Sequence, residues 1–174
     1  PVTIRLLDLP VHEFLPNSLI ELENLAHELG MTLTQVSEHS KQLSEINPML
    51  GKRGVRLGIL FPKLYQMQIK AILKASRSIY GSEQINFAPE IMLPMVSSVK
   101  EVYLVRHMID QVVASISRDQ GHLAAYKLGV MVETPRAVLK SGELASASSF
   151  LSFGTNDLTQ MTYGLSRDDS GTFM

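Results

Sequence analysis

The stretch "SFGTNDLTQMTYGLSRDD", residues 152–169, places an amide, a carboxylate and an arginine around the expected end of a strand. Asp157 lies in this stretch, and Glu133 ends the apolar strand expected before it. Neighbouring parallel strands are about 4.8 Å apart, so side chains at their ends can reach the same cation. Mg²⁺ prefers oxygen ligands and typically takes one or two carboxylates. The pair therefore predicts a divalent-metal site, although an ion pair of Glu133 and a helix cap by Asp157 would also account for each residue alone.

Candidate anion-binding groups accompany the two carboxylates. Asn156 offers an amide donor and a carbonyl acceptor to a small polar ligand, or it is simply a turn residue. Four arginines are candidates for binding an anionic substrate, namely Arg5, Arg53, Arg56 and Arg167. Arg5 lies toward the end of an apolar strand, where an unpaired charge is costly unless it faces a polar cavity. Arg56 could equally be a surface or ion-pair residue, and Arg167 has two aspartates beside it, so an ordinary salt bridge remains an alternative there.

These groups predict a pocket at the ends of strands that holds a divalent cation and several guanidinium groups. Such a pocket suits a small, multiply anionic substrate, for example a phosphorylated carboxylic acid. The histidines add little to it: His27, His39, His107 and His122 are expected to be solvated. The role of His12, just past the end of the first strand, stays open.

The elements that must position this pocket alternate between strand and helix. Five strands are predicted, within residues 2–8, 47–59, 85–96, 127–133 and 149–157. Residues 17–46 are polar and helical, with a break at Gly30 and a restart capped by Thr34. Two apolar stripes at helical spacing mark the longer helices, one of Leu64, Met67, Ala71, Ile72, Ala75 and Ile79, and one of Val102, Val105, Ile109, Val112 and Ile116.

Short apolar strands separated by amphipathic helices indicate an α/β fold with a parallel sheet. The polar residues fall at strand ends, as they do in a (β/α)₈ TIM-type barrel, where several strands build the site together. A complete barrel takes about 250 residues. We therefore expect a partial barrel, a single incomplete domain over residues 1–174. An open doubly wound sheet is the rival, but "LLDLPVHEF" lacks the glycine-rich turn that such a sheet offers after its first strand.

Composition limits the other possibilities. The chain has 174 residues, of which 45% are hydrophobic and 19% charged, with a net charge of −1. This balance is typical of a soluble globular domain and gives no electrostatic reason to expect binding to nucleic acid or to a membrane surface. The chain has no cysteine, which excludes disulfides and thiolate metal sites within it. A cytoplasmic location is expected.

The same residues carry a resemblance to the phosphoenolpyruvate-utilising enzymes. The matching segments are "RLLDLPVHEFLP", "NPMLGKRGVRLG", "PEIMLPMV", "VMVETPRA" and "SFGTNDLTQMTYGLSRDD", in the order in which the family has them. Within the family, "LPVHEFLP" favours the dikinase branch that uses phosphate over the branch that uses water, phosphoenolpyruvate synthase. A barrel-derived binding module without catalysis is a further alternative.

The resemblance implies a barrel, lacking here its first and last strands, that binds Mg²⁺ and phosphoenolpyruvate or pyruvate. It implies that Glu133 and Asp157 are the Mg²⁺ ligands, and that Glu133, Thr155, Asn156 and Asp157 contact the substrate. Arg5 and Arg53 correspond to arginines that clamp the phosphate, and Arg167 corresponds to a further phosphate contact.

The family is one of phosphotransferases, and the resemblance implies partners for this barrel. A phosphoryl group passes between phosphoenolpyruvate and a histidine on another domain, and an ATP-binding domain supplies the other half of the reaction. The catalytic histidine and cysteine of the family are not in this chain, so we expect the chain alone to be inactive. A homodimer through the barrel is also implied.

Overall fold

The computed structural model describes residues 1–44, 47–83, 88–120, 125–169 and 171. The chain divides into two compact units: a sheet unit of Pro1–Asp8 and Gly54–Met174, and a helical unit of Leu9–Arg53. In chain order the elements are β1 (Thr3–Arg5), a 3₁₀ turn (Val11–Phe14), α1 (Leu19–Leu29), α2 (Leu33–Leu43), a second 3₁₀ turn (Pro48–Leu50), α3 (Gly54–Leu60), α4 (Pro62–Glu83), β2 (Glu90–Leu93), α5 (Val99–Gln120), β3 (Lys127–Val132), α6 (Pro135–Leu139), α7 (Ser141–Ser146), β4 (Phe150–Phe153) and α8 (Thr155–Tyr163).

The sheet unit is α/β, as predicted, and is built on a parallel sheet. Its four strands follow one another in the order β1-β2-β3-β4. Arg5 lies opposite Met92, and Met92 lies opposite Gly129 on the next strand. Because all pairs are parallel, the carboxyl ends of the four strands meet at one edge of the sheet.

One face of this sheet carries the hydrophobic core. The side chains that it contributes are Ile91, Leu93, Leu128, Val130 and Val132, all buried. The predicted α5 stripe packs into the same core, since Val102, Val105, Ile109, Val112 and Ile116 are all buried. An apolar residue at every third or fourth position puts these side chains on one side of the helix, so the sequence pattern was sufficient here.

The predicted stripe of α4 is wrong in part. The helix buries Tyr65, Ile69, Ile72 and Leu73, whereas Met67 is 63% exposed and Ile79 is 47% exposed. Of the six residues of the predicted stripe, Ile72 alone is buried. The helix has apolar residues on two sides, so periodicity alone could not decide which side meets the sheet.

The strand predicted within residues 47–59 is also wrong, so the described residues contain four strands rather than five. This segment forms a 3₁₀ turn and then α3, in which Gly58 is an interior residue. The ring of Tyr65 occupies the position that a Cβ at Gly58 would need, so this glycine marks close packing and not a break in the helix. The other strands are shorter than predicted, and residues 85–87 of the third predicted strand lie outside the described residues.

The helical unit contains α1 and α2, each with a capping box at its start. Ser18 and Glu21 form the first box, and Thr32 and Gln35 form the second. Gly30 ends α1 with φ of 63°, so the predicted break is confirmed. The predicted cap is wrong by two residues, because Thr32 and not Thr34 accepts the hydrogen bond from the main chain of Gln35.

Within the described parts of the chain, no helix combines the length and apolarity that a bilayer span requires. The expectation of one incomplete barrel domain over residues 1–174 stays a prediction. The helical unit lies in the chain between β1 and α3, and an insertion at such a place can be compact while belonging to the same domain.

Candidate metal and anion site

Three buried carboxylates lie together at the carboxyl edge of the sheet. Asp8, Glu133 and Asp157 each offer one oxygen atom, and these atoms all lie within 4.8 Å of one another. The three residues are exposed by only 7%, 1% and 7%. The predicted meeting of Glu133 and Asp157 is therefore confirmed. Asp157 lies in the first turn of α8 and not at the end of a strand, since β4 ends at Phe153.

Asp8 is the member of this cluster that the sequence interpretation missed. It comes three residues after Arg5, the last residue of β1, so its place just past a strand end was a usable signal. Helix α4 fixes the main chain here: the Tyr65 hydroxyl donates to the Leu7 carbonyl oxygen (3.0 Å) and Gln68 accepts from the Leu7 N–H (2.9 Å). Burial raises the pKa of the Tyr65 hydroxyl, which therefore stays a donor.

Glu133 follows β3 directly and is held by a main-chain donor. One of its carboxylate oxygens, Oε1, accepts a hydrogen bond of 2.6 Å from the N–H of Met95. Burial raises the pKa of Glu133 to about 7; the Met95 hydrogen bond and the Arg5 charge oppose this rise, and the Asp8 and Asp157 charges add to it. Without a cation to compensate its charge, this carboxyl group therefore keeps its proton to a higher pH than an ordinary glutamate does.

Two glycines leave room for the carboxylates. A Cβ at Gly154 would lie 2.5 Å from Oε2 and 2.7 Å from Cβ of Glu133. A Cβ at Gly54 would lie 2.7 Å from Cβ of Met95 and 2.8 Å from Oδ1 of Asp8, and Gly54 also has φ of 56°. Larger residues at either position would displace a carboxylate or the turn that holds it.

Arg5 lies beside the cluster at the end of β1. Its Nη1 donates to Oδ2 of Asp8 (3.4 Å), and its side chain is 46% exposed. The same nitrogen lies 3.9 Å from the sulfur of Met131 on β3. The guanidinium thus keeps donors available next to a buried acidic group, which meets the expectation that a charge on this strand is paired.

Asn156 and Arg167 meet at the start of α8. Nη1 of Arg167 donates to Oδ1 of Asn156 at 2.7 Å. The chain turns back at Gly164, which has φ of 66°, and the buried Gln160 accepts a hydrogen bond from the Arg167 N–H (2.9 Å). Thr155 is the first residue of α8 and is exposed.

The remaining predicted residues lie in several elements. Arg53 is the last residue of the helical unit, where its N–H donates to the Gly51 carbonyl oxygen (3.1 Å), and its part in anion binding stays a prediction. Arg56 lies in α3. His27, His39 and His107 are exposed, as expected, and His12 is half-buried in the first 3₁₀ turn. His122 lies outside the described residues.

The residues present fit a hard divalent cation. The donors are all carboxylate oxygens, which Mg²⁺ prefers. Three buried carboxylates so close together repel one another, and the raised pKa of Glu133 is the consequence of their burial and charge. A cation of charge +2 would remove this repulsion, whereas the Arg5 guanidinium at 3.4 Å offsets only part of it.

Comparison with known proteins shows the family to which the chain belongs. The family described as "PEP-utilising enzyme, PEP-binding domain", where PEP is phosphoenolpyruvate, matches residues 1–173. The chain is 47% identical to pyruvate, phosphate dikinase 1, chloroplastic, of Arabidopsis thaliana, with 100% of this chain and 18% of the relative covered. It is 45% identical to pyruvate, phosphate dikinase of Rickettsia typhi and 41% identical to that of Clostridium symbiosum, with 100% of this chain and 20% of each relative covered.

The chain thus spans about a fifth of the length of the curated relatives that it matches. The family match extends over nearly the whole chain and includes all of the residues that form the carboxylate cluster and its surroundings. The chain belongs to the phosphoenolpyruvate-binding domain family of the phosphoenolpyruvate-utilising enzymes.

Proposed function

We propose that this chain is the substrate- and metal-binding part of a pyruvate, phosphate dikinase. The observation that carries the proposal is the convergence of Asp8, Glu133 and Asp157 beside the Arg5 guanidinium, in a chain of this family. The three relatives compared with it are all pyruvate, phosphate dikinases, which favours this branch over phosphoenolpyruvate synthase.

Glu133 and Asp157 are the proposed Mg²⁺ ligands. Mg²⁺ bound there would act as a Lewis acid that stabilises the enolate form of pyruvate. Glu133 is well suited to this part because the Met95 N–H fixes the orientation of its carboxylate group. Asp157 is fixed by its place in the first turn of α8. Asp8 forms an ion pair with Arg5 and so holds the guanidinium next to the metal ligands.

The proposed anion-binding set accompanies these ligands. Arg5 and Arg53 provide guanidinium groups, whose forked donors match the oxygens of phosphate and carboxylate, and the guanidinium of Arg167 is hydrogen-bonded to Asn156. Thr155 and Asn156 provide polar groups at the start of α8. Phosphoryl transfer needs chiefly positioning and cationic stabilisation of the peripheral phosphate oxygens, and this set supplies donors for both.

We infer that the sheet unit is part of a (β/α)₈ barrel. Four parallel strands in sequential order support this inference, because a doubly wound sheet reverses its strand order at a switch point. Polar groups gathered at the carboxyl edge of the strands also agree with a barrel of this type. In such a barrel the face that carries Arg5, Met92 and Met131 would point inward.

In the whole protein, the proposed reaction is ATP + pyruvate + phosphate to AMP + phosphoenolpyruvate + diphosphate. The barrel would exchange a phosphoryl group with a histidine on another domain, and an ATP-binding domain would complete the cycle. A homodimer and a cytoplasmic location are further proposals; the Arabidopsis thaliana relative is named chloroplastic.

Calorimetry on the full-length protein tests the proposal with oxalate, a planar dianion that resembles the enolate. We expect oxalate to bind only when Mg²⁺ or Mn²⁺ is present. The Glu133→Gln, Asp157→Asn double variant should lose this binding, by more than the roughly 10- to 100-fold that losing an outer-sphere partner costs. Because these changes remove repulsion among buried carboxylates, the variant should stay folded.

The matched control is Glu143→Gln, which alters an exposed carboxylate whose partner is Lys140 on the surface. It should bind oxalate as the parent protein does. Metal-independent oxalate binding, or unchanged binding by the double variant, would refute the proposed function.

A further inference from the structure

We infer that Arg167 is a positioning residue that sets the orientation of the Asn156 amide. This inference rests on the proposed function and makes it more specific, because it decides which part of Asn156 faces the anionic substrate. Its basis is the 2.7 Å hydrogen bond from Nη1 of Arg167 to Oδ1 of Asn156.

The orientation of the amide follows from the chemistry of arginine. A guanidinium group has only N–H donors, so the atom of Asn156 that it meets must be the carbonyl oxygen. The NH₂ group of Asn156 is then directed away from Arg167. Without this partner the side-chain amide could turn over, since its two ends are nearly equal in shape. Arg167 thus fixes the Asn156 amide in one orientation, in which its NH₂ group can donate two hydrogen bonds to a ligand.

The turn after α8 holds Arg167 in place for this role. Gly164 ends the helix in the left-handed conformation, and its N–H donates to the Gln160 carbonyl oxygen (2.9 Å). The Gln160 side chain then accepts a hydrogen bond from the main-chain N–H of Arg167 (2.9 Å), and its Nε2 donates to the main-chain carbonyl oxygen of Asn156 (3.5 Å). Because Gln160 is buried, its side chain is held in place and connects the main chain of Arg167 to the main chain of Asn156.

An oriented NH₂ group matters because of what lies next to it in the sequence. Asn156 directly precedes Asp157, one of the proposed metal ligands. An oxyanion bound to a cation at Asp157 would need hydrogen-bond donors on its remaining lone pairs, and a carbonyl oxygen presented there would repel it. Arg167 therefore favours anionic oxygens as the ligands of Asn156.

A double-mutant cycle in the full-length protein separates this role from direct contact between Arg167 and the substrate. The variants are Arg167→Met, Asn156→Ala and the combination of both, and the measurement is the dissociation constant of oxalate in the presence of Mn²⁺. We expect Arg167→Met to raise this constant about 10- to 100-fold, in line with the loss of one charge-assisted hydrogen bond. In the Asn156→Ala background the same change should have little further effect, because the group that Arg167 orients is absent.

Two further measurements distinguish loss of the oriented amide from loss of metal affinity and from loss of net charge. The affinity for Mn²⁺ alone should stay within about twofold of the parent value in Arg167→Met, since the metal ligands are untouched. Arg118→Met is the matched control for charge. In the parent protein the Nε of Arg118 donates to the Ala114 carbonyl oxygen of the same helix. Arg118 lies near the end of α5 that leads to the start of β3, whereas the carboxylates lie past the carboxyl ends of the strands. This control should leave oxalate binding unchanged.

The outcomes are distinct. Independent, additive losses from Arg167→Met and Asn156→Ala would show that Arg167 contacts the substrate directly and would overturn the inference. So would an oxalate affinity that Arg167→Met leaves unchanged. A parent protein that binds no oxalate with Mn²⁺ would remove the proposed function, and the inference with it.

Discussion

The carboxylate of Glu133 and the main-chain N–H of Met95 form a buried hydrogen bond of 2.6 Å. Met95 has φ of 58°, and it is the one residue other than glycine with a positive φ in the part of the chain that the structure describes. Left-handed backbone is costly for a residue with a side chain and persists only where the surrounding structure enforces it. Here the left-handed turn at Met95 directs its main-chain N–H toward the carboxylate of Glu133, a proposed metal ligand.

The conformation of Met95 leads to a prediction about stability. Met95→Ala and Met95→Gly both remove a fully buried side chain, so both should destabilise the fold by about 2–5 kcal/mol. Glycine accepts the left-handed conformation without strain, so the glycine variant should be more stable than the alanine variant by about 1 kcal/mol. The free energies of unfolding in denaturant provide the measurement.

Met108 provides the control, since it is buried in the middle of α5. At that position the order should be reversed, with Met108→Gly less stable than Met108→Ala by about 1 kcal/mol, because glycine is a poor helix former. An alanine variant at position 95 that equals or exceeds the glycine variant in stability would contradict the argument.

Gly154 provides a prediction about metal affinity. In Gly154→Ala the new methyl group would occupy the place of the Glu133 carboxylate, at 2.5 Å from its Oε2. We expect the affinity for Mn²⁺ to fall by roughly 10- to 100-fold, as it does when a partner of a metal ligand is lost. Titration of the full-length protein with Mn²⁺, followed by electron paramagnetic resonance, measures this.

Gly142→Ala is the matched control, because nothing lies within 4 Å of the position that its Cβ would take. Mn²⁺ affinity should be unchanged in that variant. Equal affinities of the Gly154→Ala and parent proteins would mean that Glu133 can move aside, and that the glycine is not needed for the metal site.

The raised pKa of Glu133 predicts a pH dependence of metal binding. A cation binds the deprotonated carboxylate, so protons compete with the metal below a pH of about 7, the pKa of Glu133. Mn²⁺ affinity should therefore rise with pH up to about 7 and level off above it. The titration is repeated at several pH values, and Glu133→Gln should abolish the dependence along with most of the affinity.

The same pKa fixes the sign of a stability effect in the protein without metal. Its folded value of about 7 lies above the ordinary value of 4.5, so the folded state holds this proton more tightly than the unfolded state does. The contribution of Glu133 to the free energy of unfolding is thus greatest below pH 4.5 and is lost as the pH rises toward 7. Glu133→Gln should remove this component from the pH dependence measured by denaturant unfolding; an unaltered pH profile would contradict the assignment.

The caps of the helical unit give a prediction independent of the metal site. The Thr32 side chain accepts a hydrogen bond from the Gln35 N–H (3.3 Å), and the Thr32 N–H donates one to Oε1 of Gln35 (3.0 Å). Thr32→Ala should lower the free energy of unfolding by about 1 kcal/mol. Thr34→Ala changes an exposed residue in the first turn of α2 and should have almost no effect. The opposite ranking in denaturant unfolding would restore Thr34 as the cap.

Local sequence patterns were enough for part of the fold and part of the site. The α5 stripe, the break at Gly30 and the alternation of strands and helices followed from spacing and from single residue types. The meeting of Glu133 and Asp157 followed from their places after two consecutive strands, because consecutive parallel strands tend to be neighbours.

The sequence by itself determined the α/β character of this protein and the two carboxylates that open its candidate site, since both depend on patterns within short segments. Only the tertiary structure decided that Asp8 joins them, that α4 buries its Tyr65 side, and that Met95 turns left-handed to hold Glu133. Each of these depends on how closely segments far apart in the chain approach one another. Close packing selects among arrangements that are equivalent in the local sequence, so the position of the third carboxylate and of its main-chain donor follows from the assembled core.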